Sequence, residues 1–141
     1  MTTTTKAKPR RAIECGVPDP FPHMHPLLKK NYGEWAWHER PRPGVLRHVA
    51  HGGDQVWTVR AGTQRQLDVH SIRKLCDIGD EFAEGHVRFT SRSNIEYMVS
   101  SEAQVAPLIE ALTAAGFPVG GTGNSMSMIN HTQGWLHCDI P

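Results

Sequence analysis

Apolar and polar residues alternate in two regions of the chain, and each region predicts a β-hairpin. In the first region, apolar residues at 45, 46 and 49 predict a strand, and the turn-forming residues HGGD follow at 51–54. Residues 56–60 (VWTVR) predict the returning strand, because β-branched and aromatic residues dominate them.

The second hairpin is predicted over residues 86–90 and 94–99, where the alternation is strict. Val87 and Phe89 share one face of their strand, and Arg88 and Thr90 share the other. On the returning strand, Ile95, Tyr97 and Val99 share a face, while Asn94 and Glu96 take the opposite one. This parity turns Phe89 and Tyr97 toward the helices that cover the predicted sheet.

Two further segments have helical periodicity. Apolar residues at 69, 72, 75, 76, 78 and 82 predict a helix over residues 68–83, ended by Gly85, with Cys76 on its apolar stripe as a core residue. Apolar residues at 105, 108, 109 and 112 predict a second helix, ended by Gly116. Ser101 and Gln104 resemble a capping box, but Pro107 conflicts with that start, so this helix begins near residue 105 or kinks.

The order strand, strand, helix, strand, strand, helix predicts an α+β fold of two layers over residues 44–116, with a mostly antiparallel sheet. Residues 1–43 are predicted to be an irregular arm, because most of the chain's ten prolines lie there. The arm also carries aromatic side chains that must be covered, either by its own domain or by a partner subunit: Phe21, Tyr32, Trp35 and Trp37.

Composition and charge narrow the classes of function. The 141 residues suit one domain, and the net charge of +1 gives no general attraction for nucleic acid or an anionic membrane. No apolar run is long enough for a transmembrane span, and the polar, basic start is unlike a secretory signal. Three cysteines, an odd number, argue against a disulfide framework and favour a reducing, cytoplasmic location.

Arginines offer the first candidate chemistry. Arg60 ends a predicted strand, and Arg88 and Arg92 flank the second hairpin on its polar side. Guanidinium groups bind carboxylate, phosphate or sulfite oxygens through paired donors, so three at one sheet edge suit an anion site. The alternative is a solvated basic face, and the arginines alone do not decide between the two.

The last residues offer weaker signals. The glycine-rich stretch GGTGNS at 120–125 can bring backbone N–H groups close to an anion, although alone it is loop composition. Cys138 is a thiol suited to soft metals or an iron–sulfur cluster, but one cysteine cannot hold a cluster. Its neighbour His137 is poorly placed to activate it, because adjacent residues of an extended chain point to opposite faces.

Four segments in order make the chain resemble a known family: VRAGTQRQLDVHSIRKLCDI, HVRFTSRSNIEYMV, GFPVGGTGNS and HTQGWLHC. Together they closely resemble the β subunit of dissimilatory sulfite reductase, and the arm segment HPLLKKNYGEWAWHERPRPGVLRHV is similar to that subunit's N-terminal region. The resemblance implies a ferredoxin-like half-domain at 44–116. It also implies that 117–141 are the incomplete start of a domain for sirohaem and a 4Fe–4S cluster.

The resemblance also assigns site residues. The family pattern R-x-T-x-R falls on Arg88, Thr90 and Arg92, which implies contacts with the sirohaem carboxylates. Arg60 matches the arginine near the bound oxyanion. His137 matches a proton donor or substrate ligand over the distal face, and Cys138 matches the first cysteine of the cluster set. Further cofactor contacts are expected from the end of the chain: Thr122, Asn124 and Gln133.

Two departures qualify this picture. Assimilatory members have an arginine just after the glycine cluster, where this chain has none at 124–127, so an α subunit is expected to supply basic residues in a heterotetramer. The family's CC-x-x-x-C set is not in the 141 residues, so an N-terminal fragment is expected, inactive alone.

The implied function is six-electron interconversion of sulfite and sulfide. Residues 37–66 are more similar to members from sulfur-oxidising bacteria, which implies the oxidative direction. The resemblance also implies a small sulfur-carrier protein as a further partner. Two alternatives stay open: a non-catalytic structural or regulatory partner of the α subunit, and an RNA-binding ferredoxin-like module.

Overall fold

The computed structural model describes residue 16 and residues 19–63 and 67–122, and these form a five-stranded antiparallel sheet whose two longer helices lie on one face. The strand order is β1-β2-β3-β5-β4. The elements are α1 (Pro26–Lys30), β1 (Trp35–Arg42), β2 (Val45–Ala50), β3 (Gln55–Ala61), α2 (Val69–Phe82), β4 (Val87–Phe89), β5 (Ile95–Val99) and α3 (Val105–Ala114). The predicted α+β class and both predicted hairpins are confirmed.

The hydrophobic core lies between the sheet and the two longer helices. Register pairs Val45 with Val59 and Val59 with Tyr97, so these side chains share the face that α2 and α3 cover. The Tyr97 ring packs against Gly79 of α2, and its hydroxyl donates a hydrogen bond to the Leu75 carbonyl at 2.9 Å. Burial raises the pKa of the Tyr97 hydroxyl, so it stays a donor.

The start of α3 resolves the conflict over Pro107. A short 3₁₀ turn spans Glu102–Gln104, and Ser101 and Gln104 form the predicted capping box ahead of it. The α-helix then begins at Val105, which places Pro107 third in the helix. An N–H there has no intrahelical partner, so the proline costs no hydrogen bond. The predicted start near residue 105 is confirmed.

The prediction of an irregular arm is wrong for residues 26–30 and 35–42, because they form helix α1 and strand β1. This strand pairs with β2, with His38 opposite His48 and Trp37 opposite Val49. It is an edge strand with a register shift before Arg42, and an edge strand tolerates a proline such as Pro41. The number of prolines therefore led the sequence analysis to overlook strand β1.

The segment of the arm just before α1 is fastened to the domain by His25. The imidazole is 1% exposed; its Nδ1 accepts the Leu27 N–H, so Nε2 carries the hydrogen and donates to Glu84 at 3.1 Å. Burial raises the pKa of the Glu84 carboxyl, but hydrogen bonds from Ser100 and His25 outweigh it and hold the pKa below its ordinary value. Aromatic residues of the arm remain exposed at three positions: Phe21, Tyr32 and Trp37.

Two burial predictions are corrected. Cys76 is exposed rather than in the core, because α2 buries only the narrow stripe of Leu75, Ile78 and Gly79. Phe89 has the predicted parity, since it pairs with the buried Ile95, but it is 71% exposed. Strand β4 is a three-residue edge strand, so its helix-side face is left partly uncovered. In the described residues, no helix is long and apolar enough to cross a bilayer.

Residues 118–122 lie beside the end of β3 and pack so closely on Gly44 that a side chain does not fit there. Val119 bridges to Ala61, and the Gly44 N–H donates to the Thr122 hydroxyl at 3.1 Å. Gly44 has φ of +79°, and a Cβ there would lie 2.7 Å from the backbone N of Gly120. Only glycine satisfies both the left-handed conformation and this approach.

We therefore expect Gly44→Ala to lower the free energy of unfolding by about 2 kcal/mol, from backbone strain and displacement of residues 119–120. Chemical denaturation of the purified chain measures the loss. Gly52→Ala is the matched control, because Gly52 lies in a turn with open space around its Cβ position. Equal unfolding midpoints for the two variants would contradict the prediction.

Candidate anion site

The sheet register brings two arginines to either side of one glutamate. Strand β5 lies between β3 and β4, with Arg60 opposite Glu96 on one side and Arg88 opposite Glu96 on the other. Directly opposed residues of antiparallel strands point to the same face. Because Tyr97 points into the core beneath α2, Glu96 and both arginines lie on the sheet face opposite α2 and α3.

Glu96 is a buried carboxylate shared by these arginines. Its side chain is 0% exposed; Oε1 accepts from Arg60 Nη2 at 2.8 Å, and Oε2 accepts from Arg88 Nε at 2.5 Å and also from Arg88 Nη2. Burial raises the pKa of this carboxyl, but the charges and hydrogen bonds of Arg88 and Arg60 outweigh burial and hold the pKa below its ordinary value. Glu96 is therefore the anion that separates two of the predicted guanidinium groups.

A cavity of about 280 Å³ opens beside this cluster. It is lined by Arg60, Arg88, Phe89, Thr90, Ser91, Arg92 and Glu96. The structure thus brings four of the residues named from the sequence to one cavity. With three guanidinium groups in its wall, the cavity suits a carboxylate or a small oxyanion. Its volume suits part of a macrocycle rather than the whole of one.

Thr90 shapes the turn that carries Arg92. Its hydroxyl oxygen accepts the backbone N–H groups of Arg92 at 3.3 Å and Asn94 at 3.2 Å. The Thr63 hydroxyl donates to the Ser93 carbonyl at 2.7 Å, which ties this turn to the loop after β3. The oxygen of Thr90 is thus engaged within the turn, while its hydroxyl hydrogen can still be donated to a ligand.

Arg60 is held along its whole length. Its backbone N–H donates to the Gly44 carbonyl at 2.8 Å, and its carbonyl accepts the Gly120 N–H at 3.0 Å. Its Nη1 lies 3.5 Å from the Gly121 carbonyl oxygen. The buried Arg60 Nε and the hydroxyl of Thr58, two residues earlier on the same face, have no hydrogen-bond partner within the described part of the chain. Arg60 therefore retains donor capacity beyond its bonds to Glu96 and Gly121.

The remaining predicted residues divide into two groups. Thr122 is 7% exposed, its hydroxyl accepts the Gly44 N–H, and it is not among the cavity-lining residues. The others lie outside the described residues: Asn124, Gln133, His137 and Cys138. Within the described ranges, no group of three or more His, Cys, Asp or Glu side chains could hold a metal ion.

Sequence reasoning missed the role of Glu96, although its signal was present. Alternation placed Glu96 and Arg88 on polar faces of neighbouring strands, and antiparallel pairing across the tight turn sets them opposite each other. Sequence reasoning also missed His48, which lies on the same sheet face as Glu96, in β2. Burial lowers the pKa of His48; Glu96 partly opposes that shift, while His38, Arg88 and Arg60 add to it.

Comparison with known proteins identifies the family. Residues 48–115 match the nitrite/sulfite reductase ferredoxin-like half domain, the segment that contains β3, β5 and the cavity. Residues 48–115 are thus a ferredoxin-like half domain of the nitrite and sulfite reductase type. The arginine-lined cavity therefore lies within the matched half domain.

The curated relatives are more specific. The chain is 48% identical over 82% of its length to the dissimilatory-type sulfite reductase β subunit of Nitratidesulfovibrio vulgaris, covering 32% of that protein. It is 45% identical over 84% of its length to the subunit of the same name from Archaeoglobus fulgidus, covering 34%. It is 48% identical over 82% of its length to the subunit of the same name from Megalodesulfovibrio gigas, covering 47% of that protein. The resemblance to dissimilatory β subunits is confirmed, and the chain spans a third to a half of these relatives' length.

We expect Glu96→Gln to lower the free energy of unfolding at pH 7 by about 3 kcal/mol, because it leaves two guanidinium groups without their shared anion. The ordinary carboxyl pKa is 4.5 and the folded-state pKa is lower, so the ion pairs stabilise the wild type above 4.5. That stabilisation is lost as the pH falls through the folded-state pKa.

The stability difference between wild type and Glu96→Gln should therefore shrink on acidification below pH 4.5. Urea unfolding at a series of pH values measures it. Glu110→Gln, at an exposed position of α3, is the control and should show a small difference throughout. A pH-independent gap for Glu96→Gln would contradict the assignment of a shifted carboxyl.

Proposed function

We propose that this chain is the N-terminal part of a sulfite reductase β subunit that interconverts sulfite and sulfide by six-electron transfer. The observation that carries the proposal is the cavity lined by Arg60, Arg88 and Arg92, on a half-domain whose relatives are dissimilatory-type sulfite reductase β subunits. Arginine side chains in a cavity can bind both an oxyanion substrate and the carboxylates of a cofactor.

The described residues supply binding and charge. Arg88 and Arg92 would hold carboxylates of sirohaem, and the Thr90 hydroxyl hydrogen is a further donor beside them. Arg60 would neutralise the substrate oxyanion with the donors that Glu96 does not use. Sirohaem, coupled to a 4Fe–4S cluster, would supply the electron transfer when bound.

Residues outside the described part complete the proposal. His137 is proposed as a proton donor or substrate ligand, and Cys138 as the first cluster cysteine. Asn124 and Gln133 are proposed as further cofactor contacts. Thr122 is proposed to act with them by holding the preceding Gly121 carbonyl beside Arg60.

An α subunit is the proposed partner, in a heterotetramer, with a small sulfur-carrier protein as a further partner. The exposed aromatic residues of the arm support a subunit contact: Phe21, Tyr32 and Trp37. The cytoplasmic location and the oxidative direction rest on sequence alone and stay predictions. The RNA-binding alternative has less support, because only Phe89 of the two aromatic residues in the second hairpin is exposed, whereas Tyr97 is buried beneath α2 and cannot stack on a base.

For the cofactor role, we expect Arg92→Gln to lower the sirohaem content of the purified α/β complex about tenfold, because a bidentate carboxylate contact is lost. The complex should contain the full-length β subunit, and sirohaem is measured by extraction and absorbance. Arg73→Gln, at an exposed position on α2, is the control. An unchanged sirohaem content in Arg92→Gln would overturn the cofactor assignment of this residue.

For the substrate role, we expect Arg60→Gln to weaken sulfite binding about tenfold, because the neutral amide cannot compensate the oxyanion charge. The shift of the visible absorption band on sulfite addition measures the dissociation constant in the same complex. An unchanged dissociation constant, at normal sirohaem content, would contradict the proposed role of Arg60.

A further inference from the structure

Glu96 joins two arginines that the proposed function assigns to different ligands. Arg60 is proposed for the substrate oxyanion and Arg88 for a cofactor carboxylate, yet both are bonded to the two oxygens of one carboxylate. We propose that Glu96 is a positioning residue that holds Arg60 and Arg88 at a fixed separation and so seats substrate and cofactor relative to each other. This inference rests on the proposed function.

The bonds to Glu96 determine which donors are left for ligands. Arg60 gives Nη2 to Glu96 and places Nη1 3.5 Å from the Gly121 carbonyl oxygen, which leaves Nε without a partner among the described residues. Arg88 gives Nε and Nη2, which leaves Nη1 and its half-exposed outer edge. Because a guanidinium group is planar and rigid, fixing one edge fixes the direction of the donors on the other edge.

Only a carboxylate can hold both arginines at this position. A glutamine oxygen can accept from one guanidinium group, but its NH₂ group would face the N–H donors of the other. Glu96 also lowers the positive charge of the cavity wall, because its carboxylate partly offsets the charges of Arg60 and Arg88. Loss of the carboxylate would both release one arginine and raise the local positive charge.

A positioning role differs from a purely structural one in its effect on ligands. A structural role changes folding and leaves the affinity of the assembled complex for sulfite unchanged. A positioning role changes that affinity, and does so through Arg60. Substitutions of Glu96 and Arg60 should then be non-additive, because each removes the same properly placed donor.

The experiment uses the purified α/β complex with the full-length β subunit. Glu96→Gln, Arg60→Gln and the double variant are titrated with sulfite, followed by the visible absorption band, and sirohaem content is measured for each. We expect Glu96→Gln to raise the dissociation constant about fivefold, and the double variant to match Arg60→Gln within about twofold. Glu39→Gln, which breaks the 2.6 Å Glu39–Arg47 pair elsewhere in the sheet, should leave sulfite binding unchanged.

The outcomes separate this inference from the proposed function. An unchanged dissociation constant in Glu96→Gln, or additive effects in the double variant, would overturn the positioning role while the role of Arg60 stands. No effect of Arg60→Gln would overturn the proposed function of Arg60 and this inference with it.

Arg88→Lys keeps the inference testable if Glu96→Gln does not assemble. Arg88 is partly exposed, and lysine keeps the charge without the paired bonds to Glu96. We expect a rise of about threefold in the sulfite dissociation constant, transmitted through Glu96 to Arg60. An unchanged constant at normal sirohaem content would contradict a linkage between the two arginines.

Discussion

A carboxylate with no exposure to water is costly unless its charge is compensated, and at Glu96 this requirement governs the sheet face opposite α2 and α3. The two compensating guanidinium groups come from the strands on either side of β5. Their arrangement therefore depends on the register of three strands at once. A slip of one residue in either pairing would turn the arginine to the opposite face and leave Glu96 buried without a partner.

The same register connects the cavity to the rest of the fold. The core side of β5 is held by Tyr97, whose ring packs on Gly79 and whose hydroxyl bonds to the Leu75 carbonyl. Packing of α2 thus fixes the strand that presents Glu96 on the other face. Arg60 is fixed in addition by Gly44 and by the segment at 120–121, so residues far apart in the chain converge on one guanidinium group.

Prediction from the sequence succeeded where the signal was local. The two hairpins, the helix over 68–83 and the capping box at Ser101 and Gln104 follow from periodicity within short windows, and the structure confirms them. It failed for β1 and Cys76, because both depend on a neighbour that no local pattern specifies. An edge strand accepts prolines that an isolated segment would not, and a helix buries only the stripe that the sheet covers.

The sequence by itself determined the alternation that puts Arg88 and Glu96 on polar strand faces and placed Arg60 at the end of a strand, and its resemblance to a family assigned the arginines to anions. Only the tertiary structure decided that Glu96 lies between Arg60 and Arg88 and that Arg92 joins them at one cavity. The physical reason is that side-chain parity is set by the local period of two, whereas strand order and register are set by packing among residues distant in the chain.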